Sequence, residues 1–171
     1  NFFLFYTSHI QDYLDYHIEK ILAIPILDLK AIKAKKFKIV VDAVNSVGGI
    51  AVPKLLKALG VEEIVELYCE PNGKFAHNPE PLPENLSSLS SEVKQQKADI
   101  GIAVDPDVDR LAFVDEQGIP FGEEFTLVAV ADFVLSRKKG NTVSNLSSAR
   151  WNNFPPHLSH IPSSDEGTYF I

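Results

Sequence analysis

Apolar positions along the chain are spaced so that helices and strands are predicted in alternation. Residues 11–23 place apolar side chains at helical intervals, and Pro25 follows that segment. The segments 50–59 and 85–97 also have helical character, and Gly60 is a stop signal for the first of them. Strands rich in β-branched residues are predicted at 37–44, 63–69 and 99–104. This order indicates an α/β fold, with covering helices on a parallel sheet.

Further segments extend the pattern beyond the third strand. Residues 111–115 and 119–121, joined by a short turn, predict a hairpin, so the sheet is mixed but mainly parallel. Residues 123–139 predict an amphipathic helix and 141–148 predict a new strand, which start a second, incomplete α/β unit. The last segment, 151–171, has three prolines and no clear periodicity.

The composition is that of a folded domain with an acidic surface. Hydrophobic residues make up 45% of the 171 residues, whereas residues 30–38 carry five lysines and are expected to form a solvated segment. The net charge of −7 argues against broad binding to nucleic acid or anionic membranes, and no apolar run approaches the ~18 residues of a membrane span. Cys69 is the single cysteine, so no intrachain disulfide can form and a reducing, cytoplasmic setting is expected.

The segment 105–110 (Asp-Pro-Asp-Val-Asp-Arg) interrupts an apolar pattern with charge. Asp105, Asp107 and Asp109 alternate, and Arg110 follows at once. Carboxylates this close repel one another, and burying them without a counter-charge is costly. A hard divalent cation, which prefers oxygen ligands, would relieve the repulsion. Because the cluster follows a predicted strand, it should lie at the carboxyl edge of the sheet, where open α/β sheets bind ligands.

Three interpretations of this cluster are open. The simplest is a solvated acidic turn. An EF-hand-like calcium loop would use the three aspartates and Glu116, but Arg110 stands where glycine is required and the flanks predict strands. A magnesium site would take three oxygens from the loop and leave positions open for a phosphate oxygen, and Arg110 would grip the phosphate with its planar fork.

The segment 105–110 resembles the metal-binding loop of the α-D-phosphohexomutases, the phosphoglucomutase/phosphomannomutase family. That loop usually reads Asp-Gly-Asp-x-Asp-Arg, and here Pro106 stands in place of the glycine. Residues 41–49 (Val-Asp-Ala-Val-Asn-Ser-Val-Gly-Gly) resemble the strand-to-helix turn that opens the family's second domain. Residues 77–81 (His-Asn-Pro-Glu-Pro) resemble its His-x-Pro-x-Pro segment, and residues 142–148 resemble an early strand of the third domain.

The resemblance implies a role for each part of the chain. Residues 10–121 would form the metal-binding second domain, and residues 122–171 the start of the third, truncated or divergent after about residue 150. Enzymes of this family interconvert hexose 1-phosphates and hexose 6-phosphates through a phosphoserine and a bisphosphate intermediate. Arg110 would contact phosphate near the metal. The Mg²⁺ ligands would be Asp105, Asp107 and Asp109.

Other features of that reaction are not found in this sequence. The family's phosphoserine lies in a Ser-His-Asn-Pro loop, but Ala76 precedes His77 here, and the Ser-His pair at 8–9 continues differently. His77 is expected to be structural, and the Gly-Glu-Glu at 122–124 is expected to start a helix rather than to bind sugar. The chain is therefore expected to be inactive as a mutase by itself. Its partners would be a phosphorylated hexose and the other domains of the same enzyme.

Two other functions fit the same residues. One is a non-catalytic α/β module that binds a divalent metal ion or interacts with another molecule. The other is a phosphatase with Asp105 as its nucleophile, although that chemistry normally places its Asp-x-Asp after a first strand. A calcium preference would favour the former, and trapping a phosphoaspartate mimic on Asp105 would favour the latter.

Overall fold

Four strands of the chain form one mixed sheet. The computed structural model describes residues 13–137, and within them the strands are, in chain order, β1 (Lys38–Asp42), β2 (Glu63–Leu67), β3 (Ile100–Val104) and β4 (Leu111–Asp115). β1 pairs in parallel with β2 and β3, and β3 pairs antiparallel with β4, so the order across the sheet is β2-β1-β3-β4. The predicted α/β class with a mixed, mainly parallel sheet is confirmed.

Helices connect the parallel strands of this sheet. A first helix, α1, covers residues 13–22 of the described part. The other helices are α2 (Leu29–Lys35), α3 (Gly48–Leu59), α4 (Ser87–Gln96) and α5 (Glu123–Arg137), and a short 3₁₀ turn, Pro83–Asn85, precedes α4. α3 joins β1 to β2, and α4 lies between β2 and β3 in the chain. This is the crossover arrangement that parallel strands require.

The sheet is buried on both faces because its central strands have apolar side chains on each face. Val40 packs in one cluster with Leu89 and Val93 of α4, and all three side chains are fully buried. Val41, the next residue of β1, packs in a second cluster with Leu56 of α3. Since successive strand residues point to opposite faces, the β-branched run of β1 contributes to both layers.

The lysine-rich segment 30–38 contains a helix that the sequence analysis did not assign. Asp28 caps α2, and its carboxylate accepts a hydrogen bond from the Ala31 N–H at 2.9 Å. Lysine, leucine and alanine all have high helix propensity, and no residue of α2 is buried. The segment is therefore solvated, as expected, but it is helical as far as Lys35.

The predicted hairpin after the acidic segment is present, but its second arm is not a full strand. The Phe121 N–H donates to the Phe113 carbonyl at 2.8 Å. Beyond β4 the pairing is a single bridge between Val114 and Pro120. Because proline has no N–H, it cannot extend a ladder of hydrogen bonds.

The structure shows where two of the predicted helices begin. α3 begins at Gly48, two residues before the predicted start, so both glycines of the predicted turn belong to the helix. α5 begins at Glu123, in agreement with the interpretation of residues 122–124 as a helix start.

The chain divides into two compact units, with the boundary between Glu123 and Glu124. The described part of the second unit, residues 124–137, is the helix α5 without its first residue. The predicted amphipathic pattern is not cleanly seen: Val128 is buried and Val134 is exposed, and other large apolar side chains of this helix are exposed as well. These are Leu127, Val130 and Phe133.

The remaining predictions for the second unit fall on residues of which no structure is described. The predicted strand 141–148 and the tail 151–171 both lie outside the described residues. Among residues 13–137, no helix has both the length and the apolar character needed to cross a membrane.

Candidate metal and phosphate site

The acidic segment forms a tight turn at the carboxyl end of β3. The Asp105 carbonyl accepts a hydrogen bond from the Val108 N–H at 3.2 Å, which closes a four-residue turn. Pro106 occupies the second position of this turn, where the fixed φ of proline is favourable, so it fits the turn in place of glycine. Val108 has a φ of 63°, a left-handed conformation that costs a β-branched residue about 1–3 kcal/mol. Backbone strain of this kind clusters at binding sites.

The three predicted ligands converge within this turn. Asp105, Asp107 and Asp109 each contribute a carboxylate oxygen, and these oxygens lie within 4.8 Å of one another. Asp105 is 1% exposed, whereas the other two side chains face solvent. The structure therefore combines one fixed, buried carboxylate with two that an incoming ion can reach. Their role as ligands stays a prediction.

Arg110 supplies the counter-charge to this cluster. Its backbone N–H donates to Asp105 Oδ1 at 3.0 Å, and its Nε donates to Asp105 Oδ2 at 3.1 Å. The same nitrogen lies 3.8 Å from Asp109 Oδ1, and Nη1 lies 3.5 Å from Glu80 Oε1. The Arg110 side chain is 48% exposed, so part of the guanidinium is open to a ligand. The predicted phosphate-binding residue thus lies directly beside the predicted metal ligands.

The pKa shifts in the turn show that its negative charge is only partly compensated. Burial would raise the pKa of Asp105, but hydrogen bonds from the backbone and side chain of Arg110, and from Asp109, outweigh it and lower the pKa. The pKa of Asp109 is raised, first by the hydrogen bond that its carboxyl shares with Asp105 and then by the charges of Asp107 and Asp105. The pKa values of these two neighbouring carboxyls are therefore shifted in opposite directions, down for Asp105 and up for Asp109.

The donor set of the turn fits a hard divalent cation. All three side chains offer oxygen, which Mg²⁺ and Ca²⁺ prefer. They come from one loop, so they would occupy one side of an ion and leave the other side to water or a phosphate oxygen. The flanking elements are strands, β3 and β4, whereas an EF-hand loop joins two helices. Both oxygens of Asp105 are hydrogen-bonded and buried, which does not favour Asp105 as a phosphatase nucleophile.

The proline-rich loop, residues 71–82, is tied to the carboxyl end of β1. Asn45 bonds this loop twice: its carbonyl accepts from the Gly73 N–H at 3.0 Å, and its side-chain amide donates to the Lys74 carbonyl at 2.9 Å. Glu80, farther along the loop, reaches the acidic turn. The loop and the acidic turn therefore meet at the carboxyl edge of the sheet.

A hydrogen-bonded pair, the buried Asp42 and the half-buried His77, fastens the same loop. His77 Nε2 lies 2.9 Å from Asp42 Oδ2, and His77 Nδ1 lies 2.8 Å from the Asn78 carbonyl. Because a carbonyl only accepts, the Nδ1 contact requires a proton on Nδ1, and the Asp42 carboxyl faces the other ring nitrogen. Burial raises the pKa of Asp42, although the Val44 N–H and His77 oppose the shift. Both ring nitrogens of His77 are engaged in contacts within the fold, and its structural role stays a prediction.

Two other polar side chains near this edge also serve the fold. The Ser46 hydroxyl is buried and donates to the Ala43 carbonyl at 2.7 Å, so it belongs to the turn before α3 rather than to a phosphate site. The Cys69 thiol donates to the Leu67 carbonyl at 3.5 Å. Burial, together with nearby carboxylates, raises the pKa of Cys69 to about 12, which keeps it a neutral, unreactive thiol.

Sequence reasoning did not single out Asp42 or Glu80, although both lie in segments that it quoted. Asp42 is the last residue of β1 and follows three apolar residues. An acid in that place is a signal for a site at the carboxyl edge of the sheet. Glu80 stands between two prolines, so its backbone is restricted on both sides. These signals identify the positions but not their partners.

Comparisons with known proteins assign the chain to a family. A family model described as phosphoglucomutase/phosphomannomutase, alpha/beta/alpha domain II, matches residues 12–118. A phosphomannomutase/phosphoglucomutase of Pseudomonas putida is 44% identical over 109 residues, which cover 63% of this chain and 23% of the relative. A phosphoglucomutase/phosphomannomutase of Thermococcus kodakarensis is 41% identical over 115 residues, 67% of this chain and 25% of the relative.

Solved structures agree with this assignment. A phosphoglucomutase/phosphomannomutase family protein from Burkholderia thailandensis is 38% identical, with a TM-score of 0.57 over 66% of this chain and 26% of that protein. A candidate phosphomannomutase from Thermus thermophilus is 25% identical, with a TM-score of 0.65 over 73% of this chain and 29% of that protein. The chain spans about a quarter of the length of the curated relatives that it matches. It belongs to the phosphoglucomutase/phosphomannomutase family.

Proposed function

We propose that this chain supplies the magnesium-binding part of a phosphohexomutase, which interconverts hexose 1-phosphate and hexose 6-phosphate through a phosphoserine and a bisphosphate intermediate. The observation that carries the proposal is the convergence of three carboxylates beside an arginine at the carboxyl edge of the sheet. An exposed acidic turn alone does not indicate a function. Membership of the phosphoglucomutase/phosphomannomutase family is therefore the second support for the proposal.

Each residue of the turn has a specific task in this proposal. Asp105, Asp107 and Asp109 would hold Mg²⁺, which when bound neutralises charge on a phosphoryl group during transfer. Asp105 is oriented by two hydrogen bonds from Arg110, so one ligand direction is fixed before an ion arrives. Arg110 would bind phosphate with its planar, permanently charged fork.

The assignment of the chain to domains follows from the same proposal. Residues 10–121 would correspond to the second domain of a phosphohexomutase, and residues 122–171 to the start of the third. The partners would be the remaining domains of the enzyme and a phosphorylated hexose. A reducing, cytoplasmic setting suits the single cysteine.

We expect the purified 171-residue chain to have no mutase turnover of its own. Its sequence holds no Ser-His-Asn-Pro loop, so it has no serine in the position that carries the phosphoryl group. A coupled assay that follows the conversion of glucose 1-phosphate to glucose 6-phosphate checks this. Turnover that persists after further purification of the chain would contradict the proposal that the phosphoserine is supplied by another part of the enzyme.

We also expect the chain to bind one Mg²⁺ weakly, because the phosphoserine oxygen that would complete the site comes from elsewhere. Isothermal titration calorimetry with MgCl₂ measures the stoichiometry and the Kd. The matched control is Glu116→Gln, which removes a carboxylate from the hairpin turn that an EF-hand-like site would need. Unchanged Mg²⁺ affinity in this variant is expected. A marked preference for Ca²⁺ that depends on Glu116 would support a calcium-binding module instead.

A further inference from the structure

The backbone of Glu80 is fixed more firmly than its exposed position would suggest. Pro79 and Pro81 restrict the chain on both sides of it. The Glu80 N–H donates to Asn78 Oδ1 at 3.2 Å, and the Glu80 carbonyl accepts from the Asn85 side-chain amide at 2.9 Å. These restraints fix the point from which the Glu80 side chain extends, which limits the region that its carboxylate can reach.

Arg110 has acidic partners near two of its nitrogens: Asp105 and Asp109 near Nε, and Glu80 near Nη1. Nε bonds the Asp105 carboxylate at 3.1 Å, and Nη1 lies 3.5 Å from Glu80 Oε1. A cation that binds the Asp105 carboxylate would compete with Arg110 Nε, because Nε donates its hydrogen bond to an oxygen of that carboxylate. It would not compete with Nη1, whose partner lies on the proline-rich loop.

We propose that Glu80 is a positioning residue for Arg110, which keeps the guanidinium beside the acidic turn when a divalent cation takes over the Asp105 carboxylate. The inference rests on the proposed magnesium-binding function. Without Glu80, a cation held by Asp105 and Asp109 together would leave the Arg110 side chain with no acidic partner among the contacts that it now makes. With Glu80, the fork stays in place and still has N–H donors to offer to a phosphate.

This role predicts a specific energetic coupling between Glu80, Arg110 and the cation. Glu80→Gln should raise the Kd for Mg²⁺ about two- to five-fold, the range expected for a partly exposed ion pair. Arg110→Gln should lower that Kd, because it removes the competitor for Asp105. In the Arg110→Gln background, Glu80→Gln should have almost no further effect, since the residue through which it acts is gone.

The test is a double-mutant cycle on the full 171-residue chain, with Mg²⁺ alone as the probe. Calorimetric titrations of wild type, E80Q, R110Q and the double variant are made at one ionic strength, because surface charge effects depend on salt. E84Q is the matched control: it removes the same charge four residues along the chain, in the 3₁₀ turn. Circular dichroism spectra that match wild type show that each variant is folded.

The outcomes separate this inference from the function beneath it. A weaker affinity in E80Q, larger than in E84Q and lost in the R110Q background, supports the positioning role. The positioning role is overturned if E80Q changes the Kd no more than E84Q does, or changes it equally in the wild-type and R110Q backgrounds. Either result would mean that Glu80 acts only through its long-range charge, and the proposed magnesium site would be unaffected. If wild type takes up no Mg²⁺ at all, the proposed function itself fails and the positioning role fails with it.

Discussion

Replacement of Gly49 by alanine is expected to destabilise the chain by about 3 kcal/mol or more, because the new methyl group has nowhere to go. A Cβ at this position would lie 2.1 Å from the Cys69 carbonyl oxygen and 2.6 Å from the Cys69 carbonyl carbon. These are backbone atoms two residues beyond the end of β2, so no side-chain rotation can relieve the clash. The first turn of α3 would have to move away from the sheet.

Urea unfolding followed by circular dichroism measures this loss. The matched control is Gly73→Ala, which has a φ of 72° but no atom within 4 Å of the added methyl group. Its cost should be the backbone penalty alone, about 1–2 kcal/mol. A Gly49 variant that is no less stable than the Gly73 variant would show that α3 does not approach β2 as closely as described.

Replacement of Asp105 by asparagine is expected to weaken Mg²⁺ binding at least about 100-fold, since even the loss of an outer-shell partner commonly costs 10- to 100-fold. The substitution removes the one buried carboxylate of the cluster. In the wild type, Arg110 Nε donates to an Asp105 carboxylate oxygen at 3.1 Å. In the variant, Nε would face an amide N–H₂ or a neutral amide oxygen instead. The remaining two acids, Asp107 and Asp109, are exposed.

The control for this variant is Asp99→Asn, the same change of charge at the other end of β3. The Asp99 carboxylate accepts a hydrogen bond from the Lys38 N–H at 2.8 Å and lies at the opposite edge of the sheet. Calorimetry should find its Mg²⁺ affinity close to that of wild type. Equal losses in the two variants would mean that net charge, rather than the acidic turn, determines binding.

The sheet and the acidic turn were accessible from the sequence because both are encoded locally. The β-branched runs of β1 and β3 are long enough to identify buried strands, and residues 105–110 carry all three carboxylates within one turn. A pattern of this kind needs no knowledge of distant contacts. It predicts where the cluster lies on the sheet as well as its chemistry.

The contacts between residues distant in sequence, which shape the site, could not be predicted from the sequence. Glu80 and Arg110 are 30 residues apart, and Asp42 and His77 are 35 residues apart. No periodicity or motif connects such positions, because the fold alone brings them together. The helix α2 was missed for a different reason: it buries no residue, so it lacks the apolar stripe by which helices are recognised.

The turn itself shows how a departure from the usual motif is accommodated. Glycine at the second position of the loop would be free to adopt many conformations, whereas Pro106 is restricted to the one that this turn uses. The unusual backbone conformation falls instead on Val108, with its positive φ. The substitution therefore leaves the three carboxylates together.

The central claim is that a divalent cation binds at residues 105–110. Paramagnetic broadening by Mn²⁺, a substitute for Mg²⁺ with the same preference for oxygen ligands, locates such an ion directly in amide NMR spectra of the chain. Signals from residues 105–110 should broaden first at substoichiometric Mn²⁺, and excess Mg²⁺ should restore them. Broadening that begins at other acidic residues, or that spreads evenly over the acidic surface, would contradict the account.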